Sequence, residues 1–541
     1  MSVSESDPPA GWGPPERSPA DVPTGEVPIV PPADERATPA SPPVDPADFP
    51  PAPVDERSVA AIDFAVDGLS EAHPVLSART RLSLRQRLLL GLFAVGVIVA
   101  TWFHPILVGT VLMAILITVY TAVIGLRVDL LLRRSHDTRF AFTEEELAQL
   151  DPATLPSFTI LVPAYREPEV LPHLVDNLAA LDYPRELLQI RLLLEEDDLE
   201  TRAAARDMHL EAPFEVVVVP PVGPRTKPKA LNYALLDAKG DIVCIYDAED
   251  RPDPLQLKKV AATFQHLGPE YACVQAELAY FNADENLITR WFAVEYRAWF
   301  TQFLPQLSKV DAPIPLGGTS NHFRRDLLVQ LGAWDPYNVT EDADLGIRMH
   351  RQGYRVAVLD SVTYEEANTD FVNWIKQRSR WYKGYAQTYL VHMRHPIKLL
   401  RDVGWPGFIR FNLFVGGTPL IAAINPISWM LLVLWFTLQP QFIIDIMIAP
   451  VYYAGLAGWI IGNFAFFYLN LDVAYRFHKW SIFRAALLLP GYWVMMAIAA
   501  VKALYQLAFQ PSYWEKTQHG LSAHSASPPP QVQQAAPPAA D

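Results

Sequence analysis

The chain has 541 residues, of which half are hydrophobic and only 19% are charged. This apolar excess over an ordinary soluble domain indicates membrane-spanning segments, so a lipid bilayer is an expected partner. The formal net charge of −15 argues against a nucleic-acid-binding surface, and Cys244 and Cys273 fall in a segment interpreted below as cytosolic, where a disulfide is not expected.

Both ends of the chain are predicted to be disordered tails. Residues 1–75 form the first tail, because about the first 55 of them are rich in Pro, Ala, Asp and Glu without a sustained apolar period. Residues 522–541 have a similar composition. No apolar core follows a short basic start, so we expect no signal peptide.

Residues 84–134 are predicted to form a transmembrane helical hairpin. The runs Leu88–Phe103 and Ile106–Leu126 are uncharged, and each has roughly the 17 to 25 residues that a bilayer core requires. The turn between them carries no Lys or Arg, whereas arginines flank the hairpin on both sides. These arginines are Arg79, Arg81, Arg85, Arg87, Arg127, Arg133 and Arg134. The positive-inside rule therefore places both flanks in the cytoplasm, and the segment that follows is expected to be cytosolic.

Residues 150–390 are predicted to form a cytosolic α/β domain. Short apolar runs alternate with helical periods, which favours a parallel sheet. Ligands of such sheets bind outside the carboxyl ends of the strands. Three polar clusters lie at these ends, namely Tyr165-Arg166, Glu195 to Asp198 and Asp247 to Asp250, and we expect them to face one crevice.

The stretch "CIYDAEDRPDP", Cys244 to Pro254, places three carboxylates in one turn behind an apolar run. Like charges this close are expected either to be splayed into water or to hold something positive. Asp and Pro after a strand are also ordinary turn chemistry, so the stretch alone leaves both interpretations open.

Two later motifs also have ordinary structural interpretations. In "NVTEDADLGIRMHRQGYR", Thr340 can be the N-cap of a helix with acidic residues in its first turn. In "QRSRWYKGY", Gln377 to Tyr385, the charges are compatible with a basic amphipathic helix against the membrane surface.

Residues 391–510 are predicted to hold the remaining transmembrane and interfacial helices, giving four to six spans in all. The block Phe411 to Phe436 is either one kinked span or two short ones, and Ile446 to Leu469 is a second block. In the third block, Ala485 to Phe509, we expect Pro490-Gly491 to end a short membrane segment. Lys502 then lies in an interfacial helix, because a lipid-facing lysine in mid-span costs about 2.5 to 3.5 kcal/mol.

Six motifs, taken in chain order, resemble those of the family 2 inverting glycosyltransferases. They are "VPAYREPE", "EEDD", "YDAED", "GGTSNHFRR", "TEDADLGIR" and "QRSRW", and they cover about residues 155 to 385. The likeness is greatest to the membrane-embedded processive branch, with cellulose, curdlan and related β-glucan synthases. The resemblance implies a GT-A-like α/β nucleotide-sugar transferase domain inserted between transmembrane α-helices.

The same resemblance implies a hexosyltransferase of the inner or plasma membrane. It would pass sugar from a UDP-sugar, with UDP-glucose as the first candidate, to a growing β-linked polysaccharide with coupled translocation. The alternative is a non-processive enzyme that adds one sugar to a lipid-linked acceptor, although "QRSRW" is typical of the processive branch. A non-catalytic transporter or scaffold is disfavoured because Asp247, Asp342 and Arg380 occur together.

By the resemblance, Asp342 is the base that deprotonates the acceptor hydroxyl. Its neighbour Glu341 is expected to raise its proton affinity by like-charge repulsion. Asp247 and Glu249 are expected to hold Mg²⁺ or Mn²⁺, which would offset the charge on a departing diphosphate. The family's Asp-x-Asp appears here as Asp-Ala-Glu, so the longer side chain shifts the cation or makes its coordination indirect.

The other expected site residues divide into donor and acceptor contacts. In the donor set, Arg378 and Arg380 would reach the phosphates, and Lys229 is an alternative to Lys227. The donor set is Pro163, Tyr165, Glu167, Asp197, Lys227, Asp247, Arg378 and Arg380, and the acceptor set is Gly318, Thr319, Glu341 and Trp381.

Residues 511–521, "PSYWEKTQHGL", are a candidate gating loop, because related synthases carry a mobile loop in a similar place. Trp514, Lys516 and Thr517 would then contact the bound donor, and the C-terminus would be cytosolic. The alternative is that the aromatic pair anchors the preceding helix at the membrane interface.

Overall fold

A single eight-stranded sheet forms the centre of the α/β domain. The computed structural model describes residues 49, 55–80, 82–133, 139–476, 480–510, 513 and 515. The strands lie in the order β3-β2-β1-β4-β7-β6-β8-β5. They are β1 (Phe158–Ala164), β2 (Leu188–Glu195), β3 (Phe214–Val219), β4 (Ile242–Ile245), β5 (Arg251–Pro252), β6 (Tyr271–Tyr280), β7 (Asn321–Arg324) and β8 (Arg355–Glu365).

The sheet is mixed, and the prediction of a parallel sheet is wrong at two strands. Strands β1 to β4 pair in parallel, but β7 runs antiparallel to both β4 and β6, and β5 is antiparallel to β8. Strand β7 has the sequence "NHFR", which is too short and too polar to be read as a buried strand from an apolar run. Its buried polar side chains find partners inside the domain, because the Asn321 amide nitrogen donates to the Gly317 carbonyl and His322 contacts the Val274 carbonyl.

Residues 55–80, here called the N-terminal strap, form a folded segment and not part of a disordered tail. Asp55 caps the first helix by accepting from the Ser58 amide at 2.7 Å. Ala61, Ala65 and Leu69 recur at helical spacing and are buried against the α/β domain. This spacing is visible in the sequence, so the predicted tail boundary at residue 75 is wrong by about 20 residues.

The helices that precede the sheet include the predicted hairpin. A single π-helical turn, Phe64–Gly68, joins the two helices of the strap. The strap contains α1 (Glu56–Asp63) and α2 (Leu69–Ala72), and the hairpin consists of α3 (Leu84–Phe103) and α4 (Pro105–Leu132).

Helices cover both faces of the sheet and make two buried cores. Side chains of alternate strand residues point to opposite faces, so Leu161 and Val243 enter one core, whereas Ile160 and Cys244 enter the other. The helices of this part are α5 (Glu144–Ala148), α6 (Leu171–Ala179), α7 (Leu199–Asp207), α8 (Lys227–Leu235), α9 (Gln256–His266), α10 (Leu287–Ala298), α11 (Leu304–Lys309), α12 (Arg325–Gln330), α13 (Glu341–Arg351) and α14 (Phe371–His392).

After the α/β domain, the described chain is almost entirely helical. A π-helical turn, Asn412–Gly416, joins α15 to α16, so the "GGTPL" stretch does not interrupt the helix. The one non-helical residue inside α15 is Gly404, at φ 67°. The helices are α15 (Pro396–Phe411), α16 (Gly417–Thr437), α17 (Gln441–Ile446), α18 (Ala449–Arg476), α19 (Trp480–Leu487) and α20 (Leu489–Phe509).

Five helical stretches have the length and hydropathy of a membrane span, which agrees with the four to six expected; their insertion stays a prediction. They are Leu84–Phe103, Pro105–Leu132, Pro396–Thr437, Ala449–Tyr475 and Leu489–Phe509.

The interpretation of the third apolar block places the helix break wrongly. The break lies at Leu488, and Pro490 stands in the first turn of α20, where a missing amide proton costs no helical hydrogen bond. The short helix is therefore α19, and α20 has the 21 residues of a span. The charge of Lys502 is balanced by an ion pair with Glu515, 2.8 Å away.

Candidate active site

A cavity of about 680 Å³ opens at the carboxyl ends of β1, β2 and β4. Tyr165 and Glu167 enter it just after β1, Glu195 ends β2, and Asp247 and Glu249 follow β4. The three polar clusters therefore contribute to one crevice. We call it the strand-end cavity.

Most residues that the sequence assigned to the site line the strand-end cavity. These are Pro163, Tyr165, Glu167, Lys227, Asp247, Glu249, Gly318, Thr319, Glu341, Asp342, Arg378, Arg380 and Trp381. Asp197 does not line the cavity and instead pairs with Arg225 at 2.5 Å on the exposed side of the loop. Trp514, Lys516 and Thr517 lie outside the described residues.

The turn after β4 is built on a buried carboxylate. Asp250 is fully buried and accepts hydrogen bonds from the Asp247 amide, at 2.8 Å, and from the Thr319 hydroxyl. Burial raises the pKa of Asp250 well above its usual value, and the charges of Asp247 and Glu249 raise it further. Asp250 thus fixes the turn from inside, while Asp247 and Glu249 face the cavity.

Lys227 ties the acidic turn to the opposite wall. Its ammonium group pairs with the Asp247 carboxylate and donates to the Gly318 carbonyl at 2.9 Å. Lys229 points elsewhere, because it pairs with Glu195 at 2.9 Å and donates to Pro220. Two residues apart on a helix means about 200° of rotation, so only one of these two lysines can face Asp247.

The acidic first turn of α13 forms the far side of the cavity. Asp342 accepts from the Ala343 amide at 2.7 Å. Burial raises the pKa of Asp342 to about 6, whereas the Ala343 hydrogen bond and the charge of Lys227 act in the opposite direction. Burial also raises the pKa of Glu341 to about 8, and the neighbouring Asp342 charge adds to this shift. Burial is thus the largest cause of both shifts, and the expectation that Glu341 repulsion raises the pKa of Asp342 stays a prediction.

Both carboxyl groups therefore hold a proton more tightly than an exposed carboxyl group does, and a pKa raised toward neutrality suits a general base. Gly318 packs close to this pair, since a side chain there would lie 3.4 Å from Asp342 Oδ2.

The two arginines of "QRSRW" have different surroundings. Arg378 forms a two-bond ion pair with Glu295, at 2.8 and 2.5 Å, and contacts the Tyr492 hydroxyl at 3.0 Å. Arg380 instead faces carboxylates of the cavity, and the charges of Glu341 and Asp247 oppose the lowering of its pKa by burial.

The expectation that both arginines reach a phosphate stays a prediction, since both line the strand-end cavity. The two side chains leave α14 about 200° apart, and only Arg378 pairs with Glu295. The Trp381 ring stacks on Tyr296, with ring centres 6.0 Å apart. The centre of the Trp381 ring lies 4.7 Å from the Arg378 guanidinium carbon.

Several polar residues of the cavity wall were not anticipated from the sequence. Glu365 ends β8, so the strand-end rule used for β1 and β4 would have found it. Glu295 is a lone acid among the aromatic residues of α10, a pattern that signals a buried partner. Arg127 was interpreted only as a flanking charge, yet it also lines the cavity.

The strand-end cavity continues between the candidate membrane helices. This part of its wall is largely apolar, with a few amides and hydroxyls. Its residues include Tyr120, Val123 and Ile124 of α4, Thr418, Ile421 and Asn425 of α16, Asn463 of α18, and Trp493 and Met496 of α20.

The donor chemistry of the acidic turn fits a hard divalent cation. Within the described ranges, no three His, Cys, Asp or Glu side chains form a complete set of metal ligands. Mg²⁺ is commonly held by one or two carboxylates together with phosphate oxygens of a substrate. Asp247 and Glu249, both at the cavity wall, provide such a pair.

Comparisons with known proteins find similarity in the region of the α/β domain. Residues 156–384 match the family model described as "Glycosyltransferase like family 2". A probable glycosyltransferase, YdaM, of Bacillus subtilis strain 168 is 27% identical over 48% of this chain and 64% of its own length. The beta-monoglucosyldiacylglycerol synthase of Synechocystis sp. PCC 6803 is 29% identical over 44% of this chain and 50% of its own length. The matches thus span about half to two thirds of these relatives.

A solved structure shows a more distant likeness. The mannosyltransferase PcManGT from Pyrobaculum calidifontis, in complex with GDP-Man and Mn²⁺, aligns with 73% of this chain and 98% of its own. The identity is 18% and the TM-score is 0.44.

Proposed function

We propose that this protein is an inverting hexosyltransferase, and that residues 156–384, which match the family 2 model, are its glycosyltransferase domain with a GT-A-like mixed sheet. The observation that carries the proposal is the arrangement around Asp342. The Asp342 carboxyl group at the start of α13 lies in one cavity with the side chains of Lys227 and Arg380 and with the acidic turn at Asp247.

In the proposed reaction, the acceptor hydroxyl attacks the anomeric carbon from the face opposite the nucleotide. Asp342 takes the hydroxyl proton as the new carbon–oxygen bond forms, and the electron pair of the broken bond leaves with the diphosphate. Arg380 and Lys227, which both line the cavity, are proposed to stabilise that leaving group with positive charge.

Asp247 and Glu249 are the residues proposed to hold Mg²⁺ or Mn²⁺. Such a cation, when bound, offsets negative charge on the diphosphate. The ion pair between Asp247 and Lys227 places a cation on the same carboxylate, so Lys227 must share or leave Asp247 when a metal binds there.

The first candidate acceptor is a growing β-linked polysaccharide, with UDP-glucose as the first candidate donor. The "QRSRW" pattern of α14 and the Trp381 ring in the cavity wall support this choice, because aromatic faces suit sugar rings. The extension of the cavity between α4, α16 and α20 is compatible with coupled passage of the product.

The second candidate acceptor is a lipid with a free hydroxyl. The apolar wall at Val123, Ile124 and Ile421 favours it, because acyl chains can occupy such a surface. The likeness to a beta-monoglucosyldiacylglycerol synthase also supports it.

A membrane location with a cytosolic catalytic domain is part of the proposal. The span-length helices support a membrane location. One contact near the C-terminus supports an interfacial position for α20, the last of these helices, in place of a full crossing. The buried Lys383 ammonium of α14 donates to the Tyr513 carbonyl, so the chain just after α20 lies beside the helix that carries Arg380. This contact favours a C-terminus on the catalytic side, as the proposed gating role of Trp514, Lys516 and Thr517 requires.

One experiment tests donor, acceptor and activity together. Purified protein is incubated with a panel of UDP- and GDP-sugars, with Mg²⁺ or Mn²⁺, and with either an oligosaccharide or diacylglycerol as acceptor. Linkage-specific glycosidases then digest any polymer, and mass spectrometry identifies any glycolipid. Polymer supports the first acceptor and a singly glycosylated lipid the second. Absence of transfer from every donor by correctly folded protein would overturn the proposed function.

A further inference from the structure

The N-terminal strap packs against the back of the catalytic site. Its helical part buries Ala65 and Leu69 against α8 and the turn at Gly332. Asn232 of α8 joins the two, because its amide nitrogen donates to the Trp334 carbonyl at 2.7 Å and to the Ala65 carbonyl at 3.4 Å. The strap is therefore attached to the helix that begins with Lys227.

The end of the strap lies between two buried charged side chains. Asp335 accepts from the Ala78 amide at 2.5 Å and from the Ser77 hydroxyl at 3.3 Å. From the other side, the Arg394 guanidinium donates to the carbonyls of Val75 and Ser77, at 2.7 and 2.9 Å, and to that of Thr80. Burial of two charges is costly unless they are satisfied, and here the strap backbone supplies the partners.

Asp335 begins the loop that connects both walls of the strand-end cavity. The carbonyl of Pro336 accepts from the Thr226 hydroxyl at 3.1 Å, immediately before Lys227. The same loop, residues 335–340, leads directly into Glu341 and Asp342. Displacement of Asp335 would therefore act on the lysine and on the proposed base together.

The far end of this loop is fixed to α14. Asn338 donates to the Thr388 hydroxyl at 2.9 Å, and the Val339 amide donates to Gln387 at 3.3 Å. Arg394 lies two residues after the end of α14. The strap is therefore bonded to the loop through Asp335 and to the end of α14 through Arg394, and the loop is bonded to α14 through Asn338 and Val339.

We propose that the N-terminal strap positions the catalytic site, with Asp335 and Arg394 as the positioning residues that transmit its hold to loop 335–340. Neither side chain lines the strand-end cavity, so both act through the loop and not on a substrate. The proposal rests on the proposed function only for its kinetic consequence. Its structural consequence, an ordered loop, is independent of the reaction.

The test uses Asp335→Asn and Arg394→Lys in the full-length chain. The first substitution presents an amide group where a second acceptor oxygen is needed, and in the second a lysine cannot serve three carbonyls in the fork geometry of arginine. Asp326→Asn and Arg401→Lys are matched controls, because both residues are exposed and lie outside the cavity. Ser77→Ala removes a single hydrogen bond and provides a milder variant if the others do not fold.

Two measurements are made on each folded variant. Hydrogen–deuterium exchange should accelerate in residues 335–340 and in the first turn of α8, with little change in β1 or β2. The kcat/KM for the donor should fall about 10- to 100-fold, the loss that small misplacement of reacting groups produces, and less for Ser77→Ala. The controls should match the unmodified protein in both measurements.

Unchanged exchange in loop 335–340 together with unchanged kcat/KM in folded Asp335→Asn and Arg394→Lys would overturn the proposal. So would a loss of activity that accompanies uniformly faster exchange across the whole sheet, because that result indicates general destabilisation. If the unmodified protein transfers no sugar, the proposed function fails, but exchange in loop 335–340 still decides the role of the strap.

Discussion

Replacing Gly384 by alanine should move the proposed base without touching it. Gly384 lies on α14 directly against Thr340, the residue before Glu341. A methyl group at Gly384 would lie 2.7 Å from Thr340 Cβ and closer still to its Oγ1 and Cγ2 atoms. Carbon atoms in contact prefer about 3.5 to 4.0 Å, so the start of α13 must shift by about 1 Å.

The expected result is a large loss of turnover with a modest loss of stability. Misplacement of a reacting group by about 1 Å can cost about 10²-fold in rate. Overpacking of this kind typically lowers the free energy of unfolding by about 1 to 3 kcal/mol, so the variant should still fold. The measurements are kcat for sugar transfer, UDP affinity by calorimetry, and the Tm.

Two variants make the interpretation specific. Gly96→Ala is the matched control, because Gly96 is also helical but has no neighbour within 4 Å of the added methyl group. Gly384→Ala combined with Thr340→Gly removes all three crowded atoms and should recover part of the lost kcat. Near-normal kcat in folded Gly384→Ala, or no recovery in the double variant, would refute the placement of Thr340 against α14.

Asp342→Asn should abolish transfer while UDP affinity stays near normal, since a base acts on the acceptor; unaffected turnover would remove Asp342 from the mechanism. In the unmodified enzyme, kcat should rise with pH through about 6, because the raised pKa of Asp342 leaves the base protonated below that value, and a flat profile from pH 5 to 7 would contradict this. Asp247→Ala should weaken metal-dependent UDP binding as well as turnover, whereas Glu249→Asp should retain some activity; full activity in a chelator would exclude the metal assignment. Deleting residues 1–48 should leave kcat unchanged because the N-terminal strap is kept, and a large loss would indicate a further role for the tail.

The strand-end clusters were predictable because they depend only on chain direction. Once an apolar run is interpreted as a parallel strand, the residues after it must lie at one edge of the sheet, as Tyr165 and Asp247 do. The proposed base, Asp342, was identified instead by the resemblance of its motif, since it does not directly follow a strand. Its position depends on how α13 packs, which local sequence does not determine.

The errors have a common physical origin in information that is not local. The ion pair of Arg378 was not anticipated because its partner, Glu295, is more than 80 residues away in the chain. Strand β7 is stabilised by its two neighbours and not by its own four residues. The strap was misjudged because composition averaged over the tail concealed the regular spacing of Ala61, Ala65 and Leu69.

The packing of α14 on α20 determines where the chain can be divided into fragments or joined to a relative without exposing a buried surface. Trp374 and Tyr382 on the buried side of α14 belong to one hydrophobic cluster with α20, and the Trp374 ring lies 5.1 Å from that of Tyr492. A fragment ending at His392 would expose this aromatic surface and leave Arg378 without one of its partners. Chimaeras that exchange the α/β domain between relatives should therefore place the junction beyond Phe509, with α20 taken from the same parent as α14.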